Sequence, residues 1–384
     1  DLGGKLCSAT SNSVKVTVQS VPTSGTIAAD QTICYNTTPV ALYSTDVGTG
    51  DGSITYIWEY SLNGTQWVVI ENQSGSGYAP GALIQTTHYR RTTVSTLNNV
   101  ACQSLPTIPV TITVLGDLTA PVIGSSQTIC YFYTAAPLEI TAPPTGGQGT
   151  FTYQWQESPD GTNGWTNVLS GGTGTTYAPG VMSQTTFYRV IATSTGTPAC
   201  GSIASNVIAI NVLDPITTPE IGVAQTICNG DVPALLSVTV PATGGHNNFS
   251  YQWLKSPNGT TGWVLVSTGT TYDPGPLTTS QWYRVIALDN QGITPNCGQY
   301  FSNIIKITVQ SVVTAGEISG NQTICYNTTP AALTSVTLGT GSGTITYEWE
   351  SFAMPLGPWT IISGATDAGL TFTSGLTVDT KFHR

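Results

Sequence analysis

Charge is what this sequence has least of. Only 8% of its 384 residues are Asp, Glu, Lys or Arg, where soluble proteins average roughly 25%. Ten basic residues against 20 acidic ones leave a net charge of −10. Such a chain has no basic patch for a phosphate backbone or an anionic lipid surface, so nucleic acid is excluded as a partner. Histidine is scarce too: His88, His246 and His383 are the whole supply. A serine or cysteine nucleophile is thereby left without a recurrent general base, and the chain is not expected to be an enzyme. No apolar run nears the roughly 20 residues that cross a bilayer. Asp1-Leu2-Gly3-Gly4-Lys5 lacks the basic-then-apolar pattern of an export signal, so neither a membrane span nor a leader is expected in this window. The 3.6-residue apolar period of a helix is missing. Low complexity is excluded as well, because 42 Gly and 23 Pro are too few for a disordered chain and 39% hydrophobic residues can build cores.

What is present is a repeat. The tetrapeptide Gln-Thr-Ile-Cys ends at Cys34, Cys130, Cys228 and Cys325, about every 97 residues, and Cys7, Cys102, Cys200 and Cys297 keep the same step. Tryptophan does so twice, at Trp58, Trp155, Trp253 and Trp349 and again at Trp67, Trp165, Trp263 and Trp359. Gln31 to Pro39 recurs letter for letter as Gln322 to Pro330, which points to growth by duplication of triplets. The expected division is 1–20 as the C-terminal end of a preceding repeat, 21–116, 117–214 and 215–312 as repeats, and 313–384 as a truncated one. Phe382-His383-Arg384 aligns with Phe187-Tyr188-Arg189 in mid-repeat, so the chain reads as a window on a longer polypeptide.

Within a repeat the apolar residues alternate, as in Tyr153-Gln154-Trp155 and Val207-Ile-Ala-Ile-Asn-Val212, and turn residues such as Asp160-Gly161 and Ala178-Pro179-Gly180 break the runs. About seven short strands per repeat with a tryptophan on an early-middle strand predict an all-β fold, a tandem array of immunoglobulin-like β-sandwich domains with that tryptophan in the core. The cysteines flank the strands instead of bridging sheet centres. One is expected near the end of the first strand and one before the last, two strands that run parallel and adjacent in many such sandwiches.

Two pairings compete. Pairing within repeats joins Cys34 to Cys102, Cys130 to Cys200 and Cys228 to Cys297. Pairing across neighbours joins Cys7 to Cys34, Cys102 to Cys130, Cys200 to Cys228 and Cys297 to Cys325. The first is expected, because a strand plus a linker separates the cysteines of the second. Disulfides imply an oxidising compartment outside the cytosol. Metal ligation is disfavoured, since no C-x-x-C spacing exists.

Four of the ten basic residues, Arg90, Arg189, Arg284 and Arg384, are read as one recurrent position. A cross-strand pair with Glu59, Gln156 or Glu350 is the simplest reason, broken by Leu254 in the third repeat. The sharper reading makes His88 with Arg90, Phe187 with Arg189 and Trp282 with Arg284 a sugar-binding platform. Gly48-Thr-Gly-Asp-Gly52 reads as a turn and not a phosphate loop, because no helix follows it. Low charge, abundant Thr and Ser and short Pro-containing linkers such as 212–219 suit an exposed, semi-rigid stalk growing by roughly 35–45 Å per repeat.

The ordered set Gln-Thr-Ile-Cys, Tyr153-x-Trp155, Asp160-Gly161 to Trp165, Tyr177-Ala-Pro-Gly180, Thr185-Thr-Phe-Tyr-Arg189 and Cys200 to Ser205-Asn206 resembles the Ig-like repeats of very large cell-surface adhesins in gliding Bacteroidetes. Those include SprB-like gliding-motility adhesins exported by the type IX secretion system. The resemblance spans nearly the whole chain; the fourth repeat departs from it at Ser351-Phe-Ala-Met-Pro-Leu-Gly-Pro-Trp359, where the Asp-Gly turn is missing. It implies an extracellular, cell-surface filament without cofactor or metal. The partners it implies are surface polysaccharide or another adhesion ligand, and the motility or secretion machinery of the cell surface. The rival functions are a repeated glycan-binding module and the stalk of a surface protein with a remote catalytic domain.

Overall fold

The computed structural model describes residues 7–289 and 295–384, which fall into two compact units, Asp1–Val212 and Leu213–Arg384. The second repeat shows the plan. Its strands are β1 (Val122–Ile123), β2 (Gln127–Ile129), β3 (Leu138–Ala142), β4 (Phe151–Ser158), β5 (Thr166–Asn167), β6 (Thr176–Tyr177), β7 (Thr186–Ser194), β8 (Ser202–Ala204) and β9 (Ile208–Val212). One sheet has the order β2-β9-β7-β4-β5 with β8 also on β7, and the other has the order β1-β3-β6. The first and third repeats build the same large sheet. The described residues contain no helix, and the repeats are Ig-like sandwiches, as the alternating pattern predicts.

Two-residue periodicity explains β7. Thr186, Tyr188, Val190, Ala192 and Ser194 are buried while Phe187, Arg189, Ile191 and Thr193 alternate with them on the outer face, which settles the facing of this strand. The inner face packs on Trp155, whose exposure is 0%, together with Ile123 and Leu138 from the opposite sheet. Trp58, Trp253 and Trp349 are equally buried. Each indole needs a partner for its N–H in an apolar core. Trp155 Nε1 donates to the Gly174 carbonyl at 3.0 Å, and the other three donate to Gly75, Gly269 and Asp367 carbonyls.

A second ring bridges the core of each of the first three repeats. Tyr177 lies 6.1 Å from Trp155 and 5.8 Å from Tyr188, and Tyr78 and Tyr272 hold the same place. This is why tyrosine precedes the Ala-Pro or Asp-Pro turn. Burial pushes the phenols of Tyr89 and Tyr283 up to about 12, so these rings stay neutral throughout the physiological range.

The Asp-Gly turn between β4 and β5 is closed by side chains. Asp160 Oδ1 accepts from the Thr162 and Asn163 amides at 2.8 and 2.7 Å, and Gly161 takes φ of +74°, a conformation glycine adopts without strain. Asn63 and Asn258 do the same in the first and third repeats. In the fourth repeat, where the motif departs, Gly357 N donates to the Ala353 carbonyl instead. The two amides hold the Asp160 carboxyl at about 2. A depressed folded-state value stabilises the turn above the ordinary carboxylate range, and that contribution disappears as pH falls from about 4 through 2. Carboxyl titration by NMR should therefore place Asp160 near 2. Asp160→Asn should keep the turn at neutral pH while abolishing its acid sensitivity.

The segments entering the repeats are themselves paired. Gly116–Thr119 forms an antiparallel ladder with Thr145–Gly147, and a Cβ on Gly146 would lie 1.9 Å from the Asp117 carbonyl oxygen, so only glycine fits. Thr119 and Thr145 join their hydroxyls at 2.8 Å, and Thr23 with Thr49, Thr217 with Thr243 and Thr314 with Thr340 repeat that bond. Main-chain pairing, more than proline, immobilises these segments.

Candidate functional site

The parallel pairing of β2 with β9 gives every full repeat two unlike ends. The chain leaves at the end where both strands finish, the downstream pole, and the cysteine of Gln-Thr-Ile-Cys follows β2 at that pole. The second cysteine precedes or occupies the short strand on β7 at the opposite, upstream pole.

In the first repeat Cys102 lies opposite Ser95, while Thr87 lies opposite Ile112 and Ile112 opposite Gln31. About eleven residues of strand rise, roughly 36 Å, therefore separate Cys34 from Cys102. A disulfide requires Cα atoms within about 7 Å, so the pairing expected within repeats cannot form. Cys34 bonds Cys200 of the following repeat instead, with Cα atoms 5.4 Å apart and 166 residues between them in sequence.

Both sequence-based schemes are thereby corrected. Cys34 pairs neither with Cys102 nor with Cys7, and Cys200 neither with Cys130 nor with Cys228. Cys130 and Cys297 are in disulfides as well, whereas Cys102 and Cys228 are free thiols, together with Cys7 and Cys325. The Gln-Thr-Ile strand and the last strand do run parallel and adjacent, as expected of the strands next to the cysteines, but the two cysteines of a repeat sit at its opposite poles. The recurrent threonine pair marks the same upstream pole. Its regular spacing was visible in the sequence, and only its uniform composition of a common residue hid it.

The outer face of the large sheet carries the arginine row. Arg90 lies opposite Glu59 and bonds it with both guanidinium edges, Nε to Oε2 at 2.7 Å and an Nη to Oε1 at 3.2 Å. Arg189 donates to Gln156 Oε1 at 2.9 Å. In each case a tryptophan of the second set covers the flat face of the guanidinium, Trp67 and Trp165 both at 4.2 Å. The third repeat has Leu254 opposite, and there Arg284 is sandwiched between Trp263 and Phe301, each at 4.2 Å. Burial without an anionic partner lowers the pKa of Arg284, and its Nε has no hydrogen-bond acceptor. The second tryptophan set thus exists to cap these cations.

His88, Phe187 and Trp282 lie on the same outer row, two residues before each arginine. Phe187 and Trp282 rest on the turn glycines, where a Cβ on Gly161 or Gly259 would come within 2.7 or 2.5 Å of the ring. Lys306 Nζ lies 4.8 Å over Trp282, and His88 Nδ1 is 2.9 Å from Thr111 Oγ1. Trp165→Ala should uncover Arg189 and lower the stability of the second repeat by about 1–2 kcal/mol, the loss of one cation–π contact and its packing. Urea denaturation followed by the remaining tryptophans would measure it.

The fourth arginine departs from this row. His383, not Arg384, lies opposite Glu350, and its ring stacks on Trp359 at 3.7 Å. Arg384 therefore corresponds to Arg91, one position further along and on the inner face. Both guanidinium groups enter a core, Arg91 over Tyr56 at 4.3 Å and Arg384 over Tyr347 at 4.1 Å. The second and third repeats place Val190 and Val285 there.

One cluster has the residue types of a metal site. His246, Asp289 and Cys297 bring ligand atoms within 4.8 Å of one another. The sulfur of Cys297 is in a disulfide and offers no thiolate, and His246 Nδ1 is bonded to the fully buried Asp289 carboxylate at 2.9 Å. This set is a buried polar pair and does not fit a cation.

Solved structures similar to this chain are multidomain arrays. Three N-terminal domains of the bacteriophage RB49 Highly Immunogenic Outer Capsid protein align at 12% identity with a TM-score of 0.35, covering 74% of this chain and 98% of that one. Extracellular domains 3–5 of Drosophila OTK align at 14% identity and a TM-score of 0.28, over 74% and 95%. Immunoglobulin domains 1–4 of Sidekick-1 align at 11% identity and a TM-score of 0.26, over 87% and 84%. No curated protein sequence matches the chain. One family model matches it four times in succession, at residues 23–116, 119–214, 217–311 and 314–384. The chain accordingly belongs to the family described as Domain of unknown function (DUF8696), which it carries as four tandem Ig-like repeats.

Proposed function

We propose that this chain is a structural stalk segment of a repetitive cell-surface adhesin filament, serving surface adhesion and gliding motility outside the cell. The observation that carries the proposal is the Cys34–Cys200 bond. It ties the downstream pole of one repeat to the upstream pole of the next, where the entering segment is already paired to that repeat. A junction closed by a covalent bond and a main-chain ladder keeps the two repeats joined when either sandwich opens. Disulfides accord with export from the cytosol. The resemblance to SprB-like adhesins supports the gliding role, export by type IX secretion and contact with the motility machinery.

A second reading takes its support from the outer rows of rings and guanidinium groups at Phe187 and Arg189, Trp282 and Arg284, and His88 and Arg90, which would hold surface polysaccharide. The intact oxidised chain on a glycan array distinguishes the two. The stalk reading expects no specific glycan to be retained. Retention that disappears in Phe187→Ala and Arg189→Ala variants would replace it with the glycan-binding reading.

A further inference from the structure

One row across the outer face of the large sheet differs between the first three repeats. It reads Val69, Glu59, Arg90 in the first repeat and Asn167, Gln156, Arg189 in the second, so each arginine finds its acceptor on the neighbouring strand. In the third repeat the row reads Leu265, Leu254, Arg284. The acceptor is gone and the arginine remains.

Its cation is nevertheless fixed in place. Trp263 and Phe301 hold the guanidinium between them, each ring centroid at 4.2 Å. Among the described residues nothing accepts a hydrogen bond from it. Nε is buried without a partner, and the Nη groups, which keep contact with solvent, bond no side chain or carbonyl. Stacking alone does not use N–H donors, so an immobilised, planar fork is left facing outward.

The surroundings have the same sign. Lys306 stands where the first and second repeats have Thr111 and Ala209, and its Nζ lies 4.8 Å over Trp282, two residues before Arg284. The strands Phe249–Ser256 and Gln281–Asp289 present no acidic residue on this face, since Asp289 belongs to the buried side. In a chain with 20 acidic and ten basic residues, two cations without a carboxylate make a local positive patch.

We infer that this face of the third repeat binds an acidic segment of a partner protein, whose Asp or Glu carboxylate accepts from the Nη groups of Arg284. Such a carboxylate takes the role that Glu59 has within the first repeat, with the pairing now between molecules. Apolar side chains beside it would rest on Leu265 and Phe301, which are 52% and 39% exposed. A protein is favoured over a charged polysaccharide because Leu254, Leu265 and Phe301 offer sugar hydroxyls no hydrogen bond in exchange for water. Tryptophan and arginine ringed by apolar residues are also what concentrates binding energy at protein interfaces. This partner site goes beyond the stalk role, which glycan retention at Phe187 and Arg189 decides separately.

The test passes the full oxidised chain over surfaces carrying the peptide acetyl-Val-Glu-Val-Glu-Val, its glutamine counterpart, oligogalacturonate and a sulfated oligosaccharide. Retention on the glutamate peptide should exceed that on the other three by about tenfold or more and fall as salt rises. Arg284→Gln should abolish it. Leu254→Glu keeps the arginine and gives it the internal partner that Arg90 has, so it should abolish retention too while leaving circular dichroism unchanged. That second variant decides the matter should Arg284→Gln fail to fold. Equal retention of the glutamine peptide, preference for either oligosaccharide, or binding that survives Leu254→Glu would each overturn the inference. Oligomers of the chain alone that Leu254→Glu dissolves would assign the site to a second copy and overturn it as well.

Discussion

Pulled from its two ends, the oxidised chain is expected to withhold at least roughly 550–600 Å of extension that a reductant releases, the share of the Cys34–Cys200 bond alone. Tension entering at the first repeat reaches Cys34 and crosses the disulfide to Cys200, so the 166-residue separation between them lies outside the load path. At about 3.3–3.6 Å per extended residue that span accounts for the figure. Single-molecule force spectroscopy with and without reductant measures it directly. The chain without reductant should show unfolding lengths smaller than the reduced chain by at least this amount, since Cys130 and Cys297 are bonded as well. Equal contour lengths in both conditions would mean that the bond does not bridge the two repeats. The physical consequence for a stalk is considerable, because the strands between the two cysteines are relieved of load, which falls instead on the first strands of one repeat and the last strands of the next.

Arg91→Val is expected to cost the first repeat about 3–5 kcal/mol, a large part of what a domain of this size has. Valine is what the second and third repeats carry at this position, as Val190 and Val285, so strand propensity and volume give no warning. The reason lies in the surrounding backbone. The fully buried Arg91 guanidinium donates to the carbonyls of Ser76 at 3.0 Å and of Ser24 and Asp46 at 3.1 Å, and to the Ser44 hydroxyl. Removing it takes a charged donor from each of those acceptors, leaving the Ser24 and Ser76 carbonyls only the hydroxyls of Thr93 and Ser44, and opens a cavity beside Tyr56. Burial lowers the pKa of this arginine, against the opposing pull of Tyr56 and Asp46, and oriented carbonyls accept its hydrogen bonds. At roughly 4–8 °C per kcal/mol for a domain of this length, the first repeat should melt about 12–40 °C earlier. Hydrogen exchange resolved over residues 21–116 would report it, and an unchanged melting temperature would show that water replaces the guanidinium at little cost.

These two results turn on different kinds of information. The tandem repeat, the β class and the four core tryptophans were legible in the sequence, because each rests on local pattern. A two-residue apolar period and a glycine after Asp160 or Asn258 specify strand and turn wherever they occur. The pairing of Arg90 with Glu59 and of Arg189 with Gln156 was legible from the recurrent residue types, although β4 and β7 are not consecutive strands and only the sheet fixed their register. The cap of Trp67, Trp165 and Trp263 over those arginines was signalled by the second tryptophan period but needed the sheet, which sets the residue before β5 and its counterparts across β4 from the arginines of β7.

The sequence alone determined that this chain is a string of like sandwiches, because alternation and spacing act over a few residues and survive any arrangement of the whole. Tertiary structure decided the rest. A one-residue shift turns a strand side chain from solvent to core, so His383 and Arg384 exchanged the roles that alignment by residue type assigned them. Cysteine pairing depends on distance in space, and a strand carries its two ends roughly 36 Å apart while a linker of a few residues brings successive poles together. For that reason Cys34 finds Cys200 across 166 residues and not Cys102 in its own repeat.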